Sequence, residues 1–380
     1  MSEKNRVGIV CYPSSGGSGI VATELGLALA HRGWEVHFIT YAQPLRLQGF
    51  ESNVFFHEVQ TDNYPVFHHP PYTLSLAVKI HEVAEAHGLD VLHVHYAIPH
   101  ATAAYLAKQM FLPKRLPVVT TLHGTDITLV GVQPAFHRIT RFSIEESDRV
   151  TAVSQFLRQK TVESFGVERE IEVIPNFVDP DKFRPLDERR LPFCANRDEK
   201  IVVHASNFRP VKNIPSVIHT FAKIREAMPA RLLLVGDGPE RYGAQELVGQ
   251  LGLQKNVHFL GIREGMSDLL GCADLYLLPS EHESFGLSAL EAMSCGAPVI
   301  ATSRGGTGEV VVPGVTGYLC DPHDIDEMGR IAVELLSDQE RHRLVGQAAR
   351  KRVLELFTEG KVIAQYEQVY RELTGEAVRS

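Results

Sequence analysis

Two carboxylates bracket a short glycine-containing run in Glu283-Ser284-Phe285-Gly286-Leu287-Ser288-Ala289-Leu290-Glu291. Gly286 is expected near a helix start, with Ala289 to Cys295 helical. The backbone N–H groups of Phe285 to Ser288 then point at an anion. Each carboxylate can accept hydrogen bonds from a vicinal diol. A sugar nucleotide carries two such diols, one on the hexose and one on the ribose. The plainer alternatives are a first-turn acid favoured by the helix dipole for Glu283 and a solvated helix face for Glu291. The neighbours Leu290, Ala292 and Met293 make that face less than polar.

Cations stand upstream, in Ser206-Asn207-Phe208-Arg209-Pro210-Val211-Lys212-Asn213. Arg209 and Lys212 lie in a loop at the carboxyl end of an expected strand. Positive charge there suits a diphosphate leaving group; the alternative is a solvated loop. The turn Val235-Gly236-Asp237-Gly238-Pro239-Glu240 carries little by itself.

Near the N-terminus a strand runs into Ser14-Ser15-Gly16-Gly17-Ser18-Gly19 and then a helix. Glycines let backbone approach a ligand, and the helix start favours phosphate. Gly17 to Ala22 also fits the dinucleotide pattern GxGxxA. That pattern expects an acid after the second strand, and Thr40-Tyr41-Ala42 has none, which argues against NAD. A tight turn without a ligand is the remaining alternative. His123, in Thr120-Thr121-Leu122-His123-Gly124-Thr125-Asp126, follows another strand and can hydrogen-bond a sugar hydroxyl or a developing charge. His93, His95 and Tyr96 end the strand before it. A three-histidine metal site is conceivable there; a structural role is the preferred reading for His93.

The elements that must position these residues follow an alternating pattern. Strands are expected at Val7–Cys11, Val36–Thr40, Val91–His95, Val118–Leu122 and Val150–Val153. A second series is expected at Ile201–Ala205, Leu232–Val235, Val257–Leu260, Leu275–Leu278, Val299–Thr302 and Tyr318–Cys320. Helical patterns lie between, as in Ile20 to His31, where Val21, Leu25, Ala28 and Leu29 share a face. Alternation of this kind predicts α/β architecture with parallel sheets covered on both sides. The series breaks at the proline-rich, charged stretch Asn176 to Arg197, read as the interdomain linker. Lys361 to Leu373 reads as an amphipathic C-terminal helix.

The chain has 380 residues, enough for two cores, and a net charge of −8 with no long basic run. That excludes nucleic acid as the main expected partner. The five cysteines, Cys11, Cys194, Cys272, Cys295 and Cys320, form no CxxC pair and are expected as reduced thiols in a cytoplasmic protein. The run Val7 to Cys11 is too short for a signal-peptide core, and no apolar run reaches the length needed to span a bilayer.

Taken together, the E-x7-E segment Glu283 to Glu291, Val235 to Glu240 and Ile174-Pro175-Asn176 resemble the retaining glycosyltransferases of family 4. The resemblance covers nearly the whole chain. It implies the GT-B fold: two Rossmann-like, doubly wound parallel-sheet domains with a cleft between them. The implied domains are an acceptor-binding domain 1–178, a linker 179–198 and a nucleotide-sugar domain 199–360, with 361–380 packing back on the first. It implies UDP-GlcNAc as donor and L-malate as acceptor, with no metal and no cofactor, no membrane partner, and a homodimer.

By the same resemblance, Glu291 holds the ribose hydroxyls, Glu283 the hexose and His123 the hexose 6-hydroxyl. The implied donor contacts also include Gly16, Gly17, Asn207, Arg209, Lys212, Gly261, Ser284, Phe285, Gly286 and Leu287. His123, Glu283, Lys212 and Arg209 are the implied catalytic set. The family carries an Arg five residues before the loop Lys; here that position is Asn207, and Arg209 is the candidate replacement. Ser18, Tyr96 and Thr121 are the implied acceptor contacts. Arg141, which shares a face with Arg138 if that segment is helical, is the candidate partner for an acceptor carboxylate.

Retention by double displacement needs a carboxylate beside the anomeric carbon, and none declares itself. Front-face attack is therefore preferred, with the departing diphosphate oxygen taking the acceptor proton. The alternatives are a family member acting on a lipid or glycan, a UDP-sugar epimerase or hydrolase, and a non-catalytic sugar-nucleotide sensor. A lipid-acting enzyme should show a basic, apolar patch on its first domain, and the sequence displays no strong one.

Overall fold

The computed structural model describes residues 5–14, 16–44, 46–47, 51–61, 69–186, 198–263 and 265–375. They fall into two compact units, one drawn from 1–175 with 360–380, the other from 176–359.

The first unit is built on seven strands: β1 (Arg6–Val10), β2 (Glu35–Thr40), β3 (Val54–Glu58), β4 (Val91–His95), β5 (Val118–Leu122), β6 (Arg149–Ala152) and β7 (Ile171–Val173). Their order is β3-β2-β1-β4-β5-β6-β7, and every pairing is parallel. The second unit holds β8 (Lys200–Ala205), β9 (Ala230–Val235), β10 (Val257–Gly261), β11 (Leu275–Leu278), β12 (Val299–Thr302) and β13 (Tyr318–Cys320), ordered β10-β9-β8-β11-β12-β13 and again all parallel.

All the expected runs are strands, because central parallel strands buried on both faces read as continuous apolar stretches. β3 and β7 were not expected. β3 is an edge strand whose Phe55 and Phe56 are each 38% exposed, and β7 is three residues long; neither shows the buried-run signature.

Helices cover both sheets. In the first unit Leu76, Ile80 and Val83 of the helix Tyr72–His87 pack on Val10, Ile39 and Leu92. In the second, Val217, Phe221 and Ile224 of the helix Ile214–Ala227 pack on Val202, Leu232 and Leu234. Each fully buried side chain of this kind contributes about 1.5–3 kcal/mol.

Residues 360–375 belong to the first unit. There the Trp34 indole N–H donates to Glu367 Oε1 at 3.1 Å, and Tyr370 Oη lies 2.6 Å from His93 Nδ1. The stretch read as a linker, 179–198, is described only in part, since 187–197 lie outside the described residues. Its first part packs into the second unit: Phe183 is buried and its carbonyl accepts from Ser294 Oγ at 2.6 Å.

Cys11, Cys272, Cys295 and Cys320 are buried free thiols, while Cys194 lies outside the described residues. Burial pushes the Cys11 and Cys295 thiols up to about 12. Among the described residues no helix is long and apolar enough to cross a membrane.

Candidate active site

In the second sheet the strand order reverses between β8 and β11, and ligands of open parallel sheets bind beyond the carboxyl ends of the strands at such a reversal. Lys212 comes from the loop after β8 and Glu283 from the loop after β11. Lys212 Nζ donates to Glu283 Oε2 at 2.8 Å, with the side chains 21% and 15% exposed. The loops are tied together at the backbone, Glu281 N–H donating to the Val211 carbonyl at 2.8 Å. Asn213, at φ 52°, ends the turn and anchors it by donating from Nδ2 to the Pro322 carbonyl at 3.0 Å. The Glu283 carbonyl accepts from Gly306 N–H at 2.8 Å. Gly305 passes so close, at φ 98°, that a Cβ there would meet that carbonyl oxygen at 2.1 Å.

Gly286 caps the helix Leu287–Ser294 at φ 95°. Leu290 N–H makes the first helical bond, to the Gly286 carbonyl at 3.0 Å. Helix geometry therefore leaves the N–H groups of Leu287, Ser288 and Ala289 without helical partners. Glu291 is only 7% exposed, so it is a buried acid and not a residue of a solvated face. Beneath both acids lies Tyr276 of β11, fully buried. Its hydroxyl donates to the Ala205 carbonyl at 3.1 Å and bonds Ser288. Burial pushes its phenol upward, and the Glu291 and Glu283 carboxylates push it further.

His204, at the end of β8, orders the cationic loop. Its Nδ1–H donates to the Leu277 carbonyl at 2.8 Å, so Nε2 accepts from Ser206 Oγ at 2.9 Å. Ser206 Oγ accepts in turn from Phe208 N–H at 3.3 Å. Burial holds His204 down to about 4, with Lys212 lowering it further and Glu283 opposing. Tyr276 and His204 escaped sequence reasoning because each looks like an ordinary strand residue.

The glycine turn after β9 lies on this loop. A Cβ at Gly236, φ 117°, would sit 1.8 Å from the Ser206 carbonyl oxygen. Gly236 N–H donates to the Gly261 carbonyl at 2.8 Å, which brings Gly261 to the same edge. Asn207 turns a buried Oδ1 inward that has no partner among the described residues. The Arg209 side chain is exposed at the loop's tip. Asn207, Lys212, Gly261, Ser284, Phe285 and Gly286 thus lie on loops of one sheet edge, with Leu287 and Glu291 in the helix that starts there.

The first sheet repeats the arrangement between β1 and β4. The helix Gly17–His31 starts at the glycine loop, three residues earlier than expected, with Gly16 as an extended cap and no side-chain cap. Ser15 of this loop lies outside the described residues. Ser18 Oγ and Tyr96 Oη share a hydrogen bond of 2.7 Å across the strand reversal. Tyr96 adopts φ 88° and donates its N–H to the Thr121 carbonyl at 2.9 Å.

His123 Nε2 lies 2.8 Å from His95 Nδ1, and His100 Nδ1–H donates to the His95 carbonyl at 2.5 Å. Burial keeps these rings neutral, His123 at about 3, His100 at about 4 and His95 well below the ordinary range. His123 as a residue is half-buried. Asp126, 2% exposed, accepts from the N–H groups of Ala97 and Gly124 at 2.9 and 3.0 Å and fixes this loop. Burial raises its carboxyl to about 6 against those hydrogen bonds.

Two expectations need correction, and a third reading holds. Thr121 is fully buried and its hydroxyl is taken by His93 Nε2 at 2.6 Å and Thr151 Oγ1 at 2.7 Å; its side chain faces the core, not an acceptor. His93 has the structural role preferred for it, with Tyr370 and Thr121 on its two nitrogens. The first unit does expose apolar and basic residues together. On the helix Pro134–Glu145, Phe136 (42%), Ile139 (37%) and Phe142 (37%) lie open beside the exposed Arg138 and Arg141.

Comparison with known proteins agrees with this architecture. Residues 15–182 match the domain described as Glycosyltransferase Family 4, and residues 188–352 match Glycosyl transferases group 1. The chain is 48% identical over 372 residues to N-acetyl-alpha-D-glucosaminyl L-malate synthase of Bacillus anthracis, covering 97% of each protein. Its fold is similar to sucrose-phosphate synthase of Thermosynechococcus elongatus (TM-score 0.82, 24% identity, 98% of this chain and 100% of that one). It is also similar to HepE of Anabaena in complex with UDP and glucose (TM-score 0.81, 22% identity, 97% and 100%). With both domain types matched in order and nearly half its residues shared along the full length of a named synthase, this chain is a glycosyltransferase, belonging to family 4 and built on the GT-B fold.

Proposed function

We propose that this enzyme moves N-acetylglucosamine from UDP-GlcNAc to the hydroxyl of L-malate with retention of the α-anomer, the first step of bacillithiol synthesis. The observation that carries the donor half is the Lys212–Glu283 pair at the strand reversal, with the helix start at Leu287, whose first N–H groups have no helical partners, following in the same loop. The acceptor half rests on the full-length likeness to the malate synthase. In this reading residues 199–360 hold the sugar nucleotide and 1–178 hold the acceptor.

The roles follow from the chemistry of each group. Glu283 keeps one carboxylate oxygen on Lys212 and offers the other to the hexose. Buried Glu291 takes the ribose hydroxyls. Lys212 has two further N–H donors for the diphosphate, with Arg209 reaching in from the loop tip and Asn207 offering its buried amide. The bond from anomeric carbon to diphosphate breaks as the malate oxygen bonds on the same face, and the departing oxygen takes the hydroxyl proton. Stabilising that oxygen is the main catalytic contribution. His123 contacts the hexose 6-hydroxyl through the nitrogen not engaged with His95. Gly16 and Gly17 offer backbone amides, and Ser18, Tyr96 and Arg141 receive the acceptor. The enzyme acts in the cytoplasm as a homodimer; light scattering showing a monomer at working concentration removes the dimer.

The test is UDP release from UDP-GlcNAc with and without L-malate. Malate-stimulated release is expected. Release independent of malate points to a hydrolase or epimerase, and release only with another acceptor sinks the malate assignment. The exposed Phe136, Ile139 and Phe142 beside Arg138 and Arg141 favour a second reading, a lipid acceptor at an anionic membrane. Sedimentation with anionic vesicles, together with transfer to lipid and not to malate, decides for it.

A further inference from the structure

Three histidines that take no part in the sites above converge at the sheet edge of the first unit. His37 lies on β2, His57 on the edge strand β3, and His87 is the last residue of the helix Tyr72–His87. The register explains the meeting. His37 pairs with Phe55 and Ile39 with His57, so His37 and His57 are diagonal neighbours on one sheet face. That face is the one the helix Tyr72–His87 covers, because Ile39 packs against its Leu76, Ile80 and Val83. The helix end then sets His87 over the pair, with ring centroids 4.5 Å from His37 and 5.1 Å from His57. One ligand nitrogen from each histidine can be chosen so that all three lie within 4.8 Å of one another.

We propose that His37, His57 and His87 form a binding site for one divalent transition-metal ion of the zinc class, completed by water.

Three observations carry it. First, the tautomer is set for ligation. His37 Nε2 lies 3.1 Å from Glu35 Oε1, and a carboxylate can only accept, so that nitrogen carries the proton. Nδ1 of His37 therefore presents a lone pair to the cluster. This carboxylate–histidine arrangement is the one that orients metal-binding imidazoles. Second, the spacing is close to what is needed. His37 Nδ1 and His57 Nε2 are 2.9 Å apart, whereas two ligands at zinc–nitrogen distances of about 2.0–2.1 Å in a tetrahedron stand roughly 3.3 Å apart. A metal replaces the proton these nitrogens now share. Third, His37 is buried while His57 and His87 are half-buried. The anchored ligand sits inside and the two adjustable ones face the entry side.

The surrounding charges are mixed. Lys79, on the covering helix, is paired with Glu82 at 2.6 Å, and Arg6 of β1 is paired with Glu35 at 3.3 Å. The carboxyl end of the helix favours a cation beside His87. Three imidazoles without a thiolate suit zinc, copper, nickel or cobalt over magnesium or calcium. The ion would clamp the exposed edge strand β3 to β2 and to the helix. This proposal does not depend on the glycosyl-transfer reading, and its readout is not activity.

The experiment uses the full chain without an affinity tag, stripped with a chelator and dialysed. It is titrated with Zn2+ by calorimetry and with Co2+ by visible absorption. One Zn2+ per chain is expected, with Co2+ giving the intense d–d bands of a four- or five-coordinate nitrogen site. His57→Ala and His87→Ala, both at half-buried positions, should abolish stoichiometric binding. Glu35→Gln keeps all three ligands and should weaken it about 10–100-fold. His31→Ala, on the surface, should leave it unchanged. Absence of stoichiometric binding, or binding that survives both His57→Ala and His87→Ala, overturns the proposal.

Discussion

Lys212 and Glu283 meet across the strand reversal of the second sheet, Nζ to Oε2 at 2.8 Å, from loops 71 residues apart in sequence. Ser18 and Tyr96 meet at the equivalent place in the first sheet, Oγ to Oη at 2.7 Å and 78 residues apart. Each sheet thus has one polar contact across its own reversal, between the segment that follows its first strand and the loop after the strand beside it, β4 or β11. In parallel α/β sheets this is where ligands bind.

If Lys212 neutralises the departing diphosphate, Lys212→Ala lowers kcat about 100- to 1,000-fold, as loss of one charge-stabilising donor does elsewhere. Lys212→Arg keeps the charge and should recover part of the rate. Steady-state UDP release measures both. A kcat unchanged by Lys212→Ala removes the residue from the mechanism.

Glu291 is buried and, in the proposed role, bonds the ribose. Glu291→Gln keeps the volume but loses the charge-assisted bond, about 1.5–3 kcal/mol. Calorimetric titration with UDP should show binding weakened by about 10- to 100-fold, with KM for malate little altered. Unchanged UDP affinity would assign Glu291 to the fold alone.

Ser18 and Tyr96 lie in the first unit and are proposed to face the acceptor. Tyr96→Phe and Ser18→Ala should raise KM for malate while leaving calorimetric UDP binding as in the parent. An equal loss for both ligands contradicts the division of roles.

Gly305 combines φ 98° with a backbone approach that leaves no room for a Cβ. Gly305→Ala should cost about 1–3 kcal/mol in urea unfolding and displace Glu283, lowering activity as well. A variant as stable as the parent would mean the loop shifts freely.

The buried histidines make stability depend on pH. His93 and His123 titrate at about 3 in the folded chain and His100 at about 4, against 6.5 ordinarily. Their folded values are depressed, so above 6.5 neither state is protonated and nothing is lost. As pH falls below that, the unfolded chain binds protons that the folded chain refuses, and stability drops until the folded rings titrate. Each such ring costs about 2 kcal/mol between neutrality and about pH 5. Asp126, raised to about 6, runs the other way and partly offsets this. Urea unfolding at about pH 7.5 and about pH 5 should show the net loss, and His93→Gln should make it shallower.

Much of this molecule was legible one segment at a time. Ile201 to Ala205 or Leu275 to Leu278 announce themselves as buried strands because a parallel strand hides both faces. Gly286 announces a helix start because few other residues adopt its φ. Glu283 and Glu291 could be picked out because their spacing belongs to one loop and the helix it enters. The edge strand β3 was missed because half its side chains face water. Thr121 was misjudged because alternation along β5 says which residues share a face, not whether that face meets an open edge or the hydroxyl of Tyr366.

The sequence by itself therefore determined the α/β class, most strand positions and the loops that carry the chemistry, since those depend on contacts within a few residues. Only the tertiary structure decided which side chains from distant segments meet: Lys212 with Glu283, Ser18 with Tyr96, His204 behind the cationic loop, and His37 with His57 and His87. Those meetings follow from strand order and register, which are set by packing over the whole of each unit and leave no local trace.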